Sequence, residues 1–355
     1  MHGGDVYSDK VDIDFSVNLN PCTLSGEDAD TINSAMAEGI ENARFYPDIR
    51  QSAVRAAIAE AEGVTPGQVY AGSGASELIM AVTALVSPKK ALLIDPCYSG
   101  YEHALSSMRE CNIVRYPLKE EDGFAVTTQV LDALTGDIDI MFIADPVNPT
   151  GQNIDEELLG KIFDRAHELG LTVVYDTSFL ALSDKADARD KGTNDSYVNK
   201  YNNLFILSSY TKSFALPGLR MGYIMSTEQN IKALIPYLPE WNLSSVAGSV
   251  MKACAHILQH SDHLKRSREF IKNERQYITE ALTELGFKVF DSDTVFILVK
   301  DDNDSFKSLY DELLKQHILI RKCDDFNGLT EGYYRMAVRE RSDNDRLIAA
   351  IKGLR

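Results

Sequence analysis

Lys212 stands in "SSYTKSFALPGLRMGYI" (208–224) with Tyr210, Phe214, Ala215 and Leu216 beside it. Apolar surroundings disfavour an ammonium, lower the amine pKa and make the lysine a nucleophile toward a carbonyl. A lysine that only lays its stem over an apolar surface has the same local sequence, so the rest of the chain must decide. Ser209 and Thr211 flank Lys212, and Arg220 follows it. Two hydroxyls and a guanidinium are suitable ligands for a phosphate.

Four upstream stretches carry complementary chemistry. In "AGSGASELIMAVTAL" (71–85), small residues precede a helical pattern, so the backbone N–H groups around Gly74, Ala75 and Ser76, with the Ser76 hydroxyl, suit an anion at a helix start. "IDPCYSGY" (94–101) is an Asp-Pro turn that projects Tyr98, a ring able to stack on a flat group or simply to pack. "ADPVNPTG" (144–151) brackets Asn148 between two prolines and fixes its amide in a turn. "LTVVYDT" (171–177) ends an apolar strand on Asp176, a carboxylate that needs a positive partner there. A pyridinium nitrogen supplies one, and the set as a whole, unlike any single part, fits pyridoxal 5'-phosphate.

The elements that must hold these residues alternate. Strand-like runs occur at 90–95 ("KALLID"), 138–145 ("IDIMFIAD"), 171–176, 204–210 ("LFILSSY") and 219–226 ("LRMGYIMS"), with a helical pattern at 155–169 between two of them. That order predicts βαβ units, a mostly parallel sheet with helices on both faces, and ligands at the carboxyl ends of its strands. The stretch 183–203 reads as a polar loop. From about residue 241 the pattern changes to one long helix over 244–285, then "FKVFDSDTVFILVK", a helix over 305–316, "ILIRK" and "YYRMAV", a smaller α+β domain. The expected organisation is an N-terminal segment (1–35) packing on the small domain, a large domain (36–240) and a small domain (241–355).

Composition narrows the function classes. The 355 residues exceed what one core normally accommodates. With 44% hydrophobic and 25% charged residues and no apolar run near the roughly 20 residues of a membrane span, a cytoplasmic globular enzyme without a membrane partner is expected. Five scattered cysteines without a C-x-x-C pair speak against a disulfide framework and a zinc site. A formal charge of −17 speaks against nucleic acid as a partner, while a local arginine cluster can still receive a small anion. There is neither H-E-x-x-H nor a G-x-G-x-x-G after the first strand, which disfavours a metal hydrolase and a nicotinamide dehydrogenase. A non-catalytic protein that keeps such a fold for interaction is the remaining alternative, and the ordered lysine, aspartate, asparagine and arginine weigh against it.

The ordered stretches "GSGASE", "PCYSGY", "NPTG", "VVYD", "SYTKSFALPGLRMGY" and "YYRMAV" make the chain resemble the class I/II aminotransferases, pyridoxal phosphate enzymes of fold type I, over essentially its whole length. The resemblance implies a mostly parallel seven-stranded sheet between helices. It implies that Lys212 binds the cofactor's aldehyde, Asp176 its ring nitrogen and Asn148 its phenolic oxygen, that Tyr98 stacks on the ring, and that Gly74, Ala75, Ser76, Ser209, Thr211 and Arg220 hold its phosphate. Tyr46, in "ARFYPDIR" (43–50), matches a tyrosine that reaches the partner's cofactor, which implies a homodimer.

Within the family the chain is similar to the histidinol-phosphate aminotransferases and, through "HGGD", "ILIRKC" (318–323) and "YRMAVRER" (334–341), to the L-threonine-O-3-phosphate decarboxylases. Arg335 then meets a substrate carboxylate or equivalent anion, a task for which the planar fork of arginine is suited. Arg321 and Arg339, with Asn20 and the more remote His2, are candidates for the rest of a small phosphate- or phosphonate-bearing amino acid. Surface salt bridging accounts for Arg321 and Arg339 equally well. Where the family usually reads Asp-Glu-Ala-Tyr, this chain reads Asp176, Thr177, Ser178 and Phe179, so a phenol is missing. Decarboxylation is the expected reaction, with amine transfer to a 2-oxo acid as the alternative.

Overall fold

The structure is a computed structural model; it describes residues 3–8, 10–108, 110–186, 192–302 and 308–354. The chain enters through a short strand, β1 (Ile13–Asp14), and then builds a seven-stranded sheet. Its strands are β2 (Val69–Ser73), β3 (Lys90–Asp95), β4 (Asn112–Pro117), β5 (Ile140–Ala144), β6 (Thr172–Asp176), β7 (Leu204–Ser209) and β8 (Met221–Met225), in spatial order β2-β8-β7-β6-β5-β3-β4. All neighbours run parallel except β8, which is antiparallel to β2 and β7. Along the central strands successive side chains enter different cores. Leu92, Met141, Val173 and Ile206 join one, while Leu93, Phe142, Val174 and Leu207 join the other. Both faces of the sheet are therefore covered, which is why these strands read as continuous apolar runs.

The helices are α1 (Gly26–Asn42), α2 (Ser52–Glu62), α3 (Ala75–Val86), α4 (Ser99–Ser106), α5 (Glu156–Leu169), α6 (Gly192–Lys200), the single turn α7 (Tyr210–Ser213), α8 (Glu228–Leu234), α9 (Ser245–His260), α10 (His263–Glu284), α11 (Leu309–Lys315) and α12 (Arg341–Lys352). The helix expected over 244–285 is two helices. Between them Ser261 turns the chain, its hydroxyl donating to Asp28 at 2.6 Å and accepting from the His263 N–H at 3.1 Å. The stretch expected as a polar loop contains α6, which Tyr197, Val198 and Tyr201 seat on the same core as Phe163. The expected boundary at 240 precedes α9, whose buried face (Ala247, Val250, Met251, Cys254) packs with α1 and α2 in the large core. The boundary at 35 falls within α1.

The smaller unit is an antiparallel sheet in which β10 (Phe296–Lys300) lies between β9 (Lys288–Val289) and β13 (Tyr333–Ala337), with β12 (Arg321–Lys322) beyond β13. A separate parallel pair joins β1 to β11 (Ile318–Leu319), and Phe15 accepts from the Ala337 N–H. The N-terminal segment is thus stitched to the smaller unit. The carboxyl ends of β3, β5, β6 and β7 open on one edge of the large sheet, where open α/β sheets place ligands.

Candidate active site

β7 delivers Lys212 directly. Ser209 caps the one-turn helix by accepting from the Thr211 N–H at 3.1 Å, and both hydroxyls donate to the Met221 carbonyl, Ser209 at 2.7 Å and Thr211 at 3.2 Å. Those bonds tie the turn to β8. The Lys212 amine lies 5.7 Å from the centre of the Phe179 ring. Burial lowers its pKa to about 8; the Arg335 and Arg220 charges push the same way and Asp176 opposes them. A usable fraction of the amine is therefore neutral near pH 7.

Beside it the start of α3 rests on β8 without side chains between them. A Cβ on Gly222 would stand 2.5 Å from the Gly74 carbonyl carbon and 2.6 Å from the Ala75 nitrogen. Gly74 has φ +85°, and a Cβ there would stand 2.8 Å from Arg220 Nη2. Glycine at both positions lets the guanidinium lie against the first turn of a 12-residue helix, a cradle of free N–H groups and positive charge for an anion.

Asp176 ends β6. Its Oδ2 accepts from the Tyr101 hydroxyl at 2.7 Å and its Oδ1 from the Ser178 N–H at 2.9 Å. Although buried, it has no ion-pair partner among the described residues. Asn148, in the turn after β5, accepts through Oδ1 from Arg335 Nη1 at 2.7 Å, which leaves its amide N–H groups as donors. Arg335 also donates to the Ser16 carbonyl at 2.8 Å, and its Nε is buried with no hydrogen-bond partner. Burial lowers the Arg335 pKa to about 10, so it stays charged at neutral pH.

These groups surround one cavity of about 300 Å3, lined by Ala75, Ser76, Tyr98, Asn148, Asp176, Ser209, Thr211, Lys212, Arg220, Arg321 and Arg335. Arg321 is held by Asp325, whose two oxygens accept from Nη2 at 2.8 and 2.9 Å, and it also donates to the Lys322 carbonyl.

Asn20 and Arg339 do not line the cavity. The Asn20 amide donates to the Ser213 carbonyl at 2.8 Å and to the Ser267 hydroxyl at 2.9 Å, and its oxygen accepts from the Cys22 N–H. Arg339 is taken up by Asp343 at 2.8 Å and by the Asp14 carbonyl at 3.1 Å. Tyr46 is 82% exposed and leans on Trp241, its ring 5.0 Å away. His2 lies outside the described residues.

Sequence reasoning passed over Gly3, Asn18, Tyr101 and Phe326, which also line the cavity. Tyr101 alone carried a signal, since it follows Tyr98 by three residues, one helical turn.

The family model described as aminotransferase class I and II matches residues 11–351. The chain belongs to that family. Threonine-phosphate decarboxylase of Salmonella typhimurium is 29% identical over 345 residues, which cover 96% of this chain and 91% of that one. Histidinol-phosphate aminotransferase of Pyrococcus furiosus is 30% identical over 307 residues, 86% of this chain and 82% of that one. Among solved structures, the histidinol-phosphate aminotransferase from Clostridium acetobutylicum superposes with a TM-score of 0.85 at 28% identity, covering 96% of this chain and 98% of that one.

This aminotransferase-family protein is an enzyme, and its cofactor is pyridoxal 5'-phosphate. The cavity fits it. A buried carboxylate without a cation, a glycine-walled anion cradle and a lysine of lowered pKa stand around one space. Among the described residues no helix is long and apolar enough to cross a membrane, and no group of three or more metal-ligating side chains occurs.

Proposed function

We propose that this enzyme decarboxylates L-threonine-O-3-phosphate or a close relative, a small amino acid that carries a phosphate or phosphonate. One observation carries the reading: Arg321 and Arg335 are cross-strand partners on β12 and β13, and both face the cavity that holds Lys212. Like charges directly opposite each other on neighbouring strands are destabilising. Asp325 already offsets the Arg321 charge in part, and a compact substrate with two anionic groups would complete the balance at the two guanidiniums. The N-terminal segment supports a small substrate as well, because Gly3 lines the same cavity and Gly4 is tied to the Ser16 hydroxyl at 2.7 Å.

In this reading Ala75, Ser76, Ser209, Thr211 and Arg220, beside Gly74, hold the cofactor phosphate. Asp176 holds the protonated ring nitrogen, the Asn148 amide donates to the phenolic oxygen, and Tyr98 covers a ring face. When bound, pyridoxal phosphate withdraws electrons from the bond broken at the substrate Cα. Arg335 receives the carboxylate and Arg321 the phosphate, and their placement selects the bond that breaks. Loss of CO2 leaves an electron pair at Cα, and the Lys212 ammonium returns a proton there. Were the Cα–H aligned instead, the neutral Lys212 amine would take that proton and amine transfer would follow. Such positioned acid–base groups contribute about 10²–10⁴-fold.

Amine transfer from histidinol phosphate or an aminophosphonate is the second reading, favoured by the similarity to the Clostridium acetobutylicum aminotransferase. For the assembly, exposed Phe45, Tyr46, Ile49 and Trp241 form an apolar surface around 43–49 and support a homodimer in which Tyr46 serves the partner's site. The deciding experiment supplies the reconstituted protein with phosphothreonine, phosphoserine, phosphonoalanine and histidinol phosphate. CO2 release without a 2-oxo acid is expected with phosphothreonine; turnover that needs 2-oxoglutarate and releases no CO2 would overturn the proposal.

A further inference from the structure

Tyr101 touches two of the three groups that the proposed function places on the cofactor ring, Asp176 and Tyr98. Tyr101 and Tyr175 are the two largest fully buried side chains among the described residues; Tyr101 is 1% exposed and sits on the first turn of α4. Its hydroxyl donates to Asp176 Oδ2 at 2.7 Å across the sheet edge. Its ring stacks on Phe142 of β5, with centroids 4.9 Å apart and planes 16° apart, and meets the Tyr98 ring edge-on at 5.4 Å and 90°. A ring clamped by β5 from one side has little freedom to swing, so its hydroxyl and its contact with Tyr98 are fixed together.

We propose that Tyr101 is the positioning residue of the cofactor site, orienting the Asp176 carboxylate through its hydroxyl and the Tyr98 ring through its edge contact. A hydrogen bond to a charged acceptor is stronger and more directional than one between neutral groups. Among the described residues Asp176 has only the Ser178 N–H besides, and that bond forms within the same turn. The Tyr101 bond is the one that ties the carboxylate to another element. Burial and the nearby Asp176 charge raise the Tyr101 pKa well above the ordinary tyrosine value, so the phenol remains a donor throughout the working pH range.

The inference rests on the roles of Asp176 and Tyr98 given above, and a double-mutant cycle on the apoprotein separates the two. Affinity for pyridoxal phosphate is measured by fluorescence titration for wild type, Tyr101→Phe, Asp176→Asn and the double variant, with apoprotein melting followed alongside. Tyr101→Phe keeps the ring against Phe142 and removes only the donor. It is expected to weaken cofactor affinity about tenfold, the loss of one charge-assisted hydrogen bond. Beside Asp176→Asn the same change should have little further effect. The visible circular dichroism of the bound cofactor, which reports ring orientation, should change in Tyr101→Phe.

Additive effects in the cycle, or wild-type affinity and dichroism in Tyr101→Phe, would overturn the positioning role. Wild-type affinity in Asp176→Asn would overturn instead the reading of Asp176 on which it rests. If Tyr101→Phe does not fold, Phe142→Leu loosens the seat of the ring while keeping the hydroxyl. Its effect on affinity must then vanish beside Asp176→Asn, and persistence would count against the proposal.

Discussion

Arg335 Nη1 donates to Asn148 Oδ1 at 2.7 Å, joining the small antiparallel sheet to the turn after β5. The bond orients the asparagine amide toward the cavity and uses only one side of the guanidinium. Arg335 Nε remains buried and unpartnered. In the proposed reading, in which Arg335 receives the substrate carboxylate, Arg335→Ala removes a buried charge at the contact, a class of change that costs about 2–5 kcal/mol of binding. The expected result is a rise in KM for the phosphorylated amino acid of about 10²-fold or more. Arg335→Lys should restore little of it, because an ammonium cannot bridge Asn148 and a carboxylate in one plane. Steady-state kinetics at fixed pyridoxal phosphate check both variants.

Lys212 has a lowered pKa of about 8 because it is buried, with Arg335 and Arg220 adding to the effect. The rate at which the apoprotein attaches pyridoxal phosphate covalently should therefore rise with pH through about 8. Borohydride reduction followed by mass spectrometry of the Lys212 peptide gives that profile. Lys212→Ala should still bind the cofactor but show no reduced adduct and no turnover. The folded pKa lies below the ordinary value of 10.5, so between about 8 and 10.5 the unfolded chain holds the proton more tightly. This residue then adds stability as pH rises through that window and nothing further below it. Denaturant titrations of wild type and Lys212→Met should diverge in that direction.

Lys212 is legible in the sequence, along with Asp176 and Asn148, because each sits where an apolar strand ends and a turn begins. In a parallel sheet such positions share one edge. Arg335, in the middle of antiparallel β13, is legible only through the family resemblance. What the sequence concealed depends on partners distant along the chain. Arg339 and Arg335 look alike in "YRMAVRER", yet Asp343 and the Asp14 carbonyl occupy Arg339, and Arg335 faces the cavity. The break at Ser261 is hidden in a continuous helical pattern and depends on Asp28. β4 has no fully buried residue, since it is an edge strand, and so showed no apolar run to read.

Asn20 supports the lysine turn from behind. Its buried amide holds the Ser213 carbonyl and the Ser267 hydroxyl, and its backbone N–H donates to the Lys212 carbonyl at 3.0 Å. Asn20→Ala leaves buried polar groups unpaired, at about 1–3 kcal/mol each. The expected outcome is a clear loss of unfolding free energy with KM nearly unchanged, the reverse of the Arg335→Ala pattern. A KM rise at unchanged stability would place Asn20 on the substrate instead.

Glu120, just after β4, reaches the small sheet. Its carboxylate accepts from Lys288 Nζ at 2.7 Å, from Lys300 Nζ at 3.0 Å and from the Tyr333 hydroxyl at 2.5 Å. Lys288, then Tyr333 and Lys300, lower its pKa to about 2. A carboxylate depressed in the folded state contributes stability above its unfolded pKa, about 4.3, and loses it as pH falls toward the folded value. The side chain is about one-third exposed, so solvent and salt screen the cluster, and a contribution of about 1 kcal/mol is expected. Glu120→Gln should therefore be less stable than wild type at pH 7 in low salt. The gap should narrow in high salt and close as pH falls from about 4 toward 2. Because the cluster links the two sheets that carry Asn148 and Arg335, the variant should also raise KM slightly at pH 7. An equal gap at every pH would show that packing of the Glu120 stem, and not its charge, holds the units together.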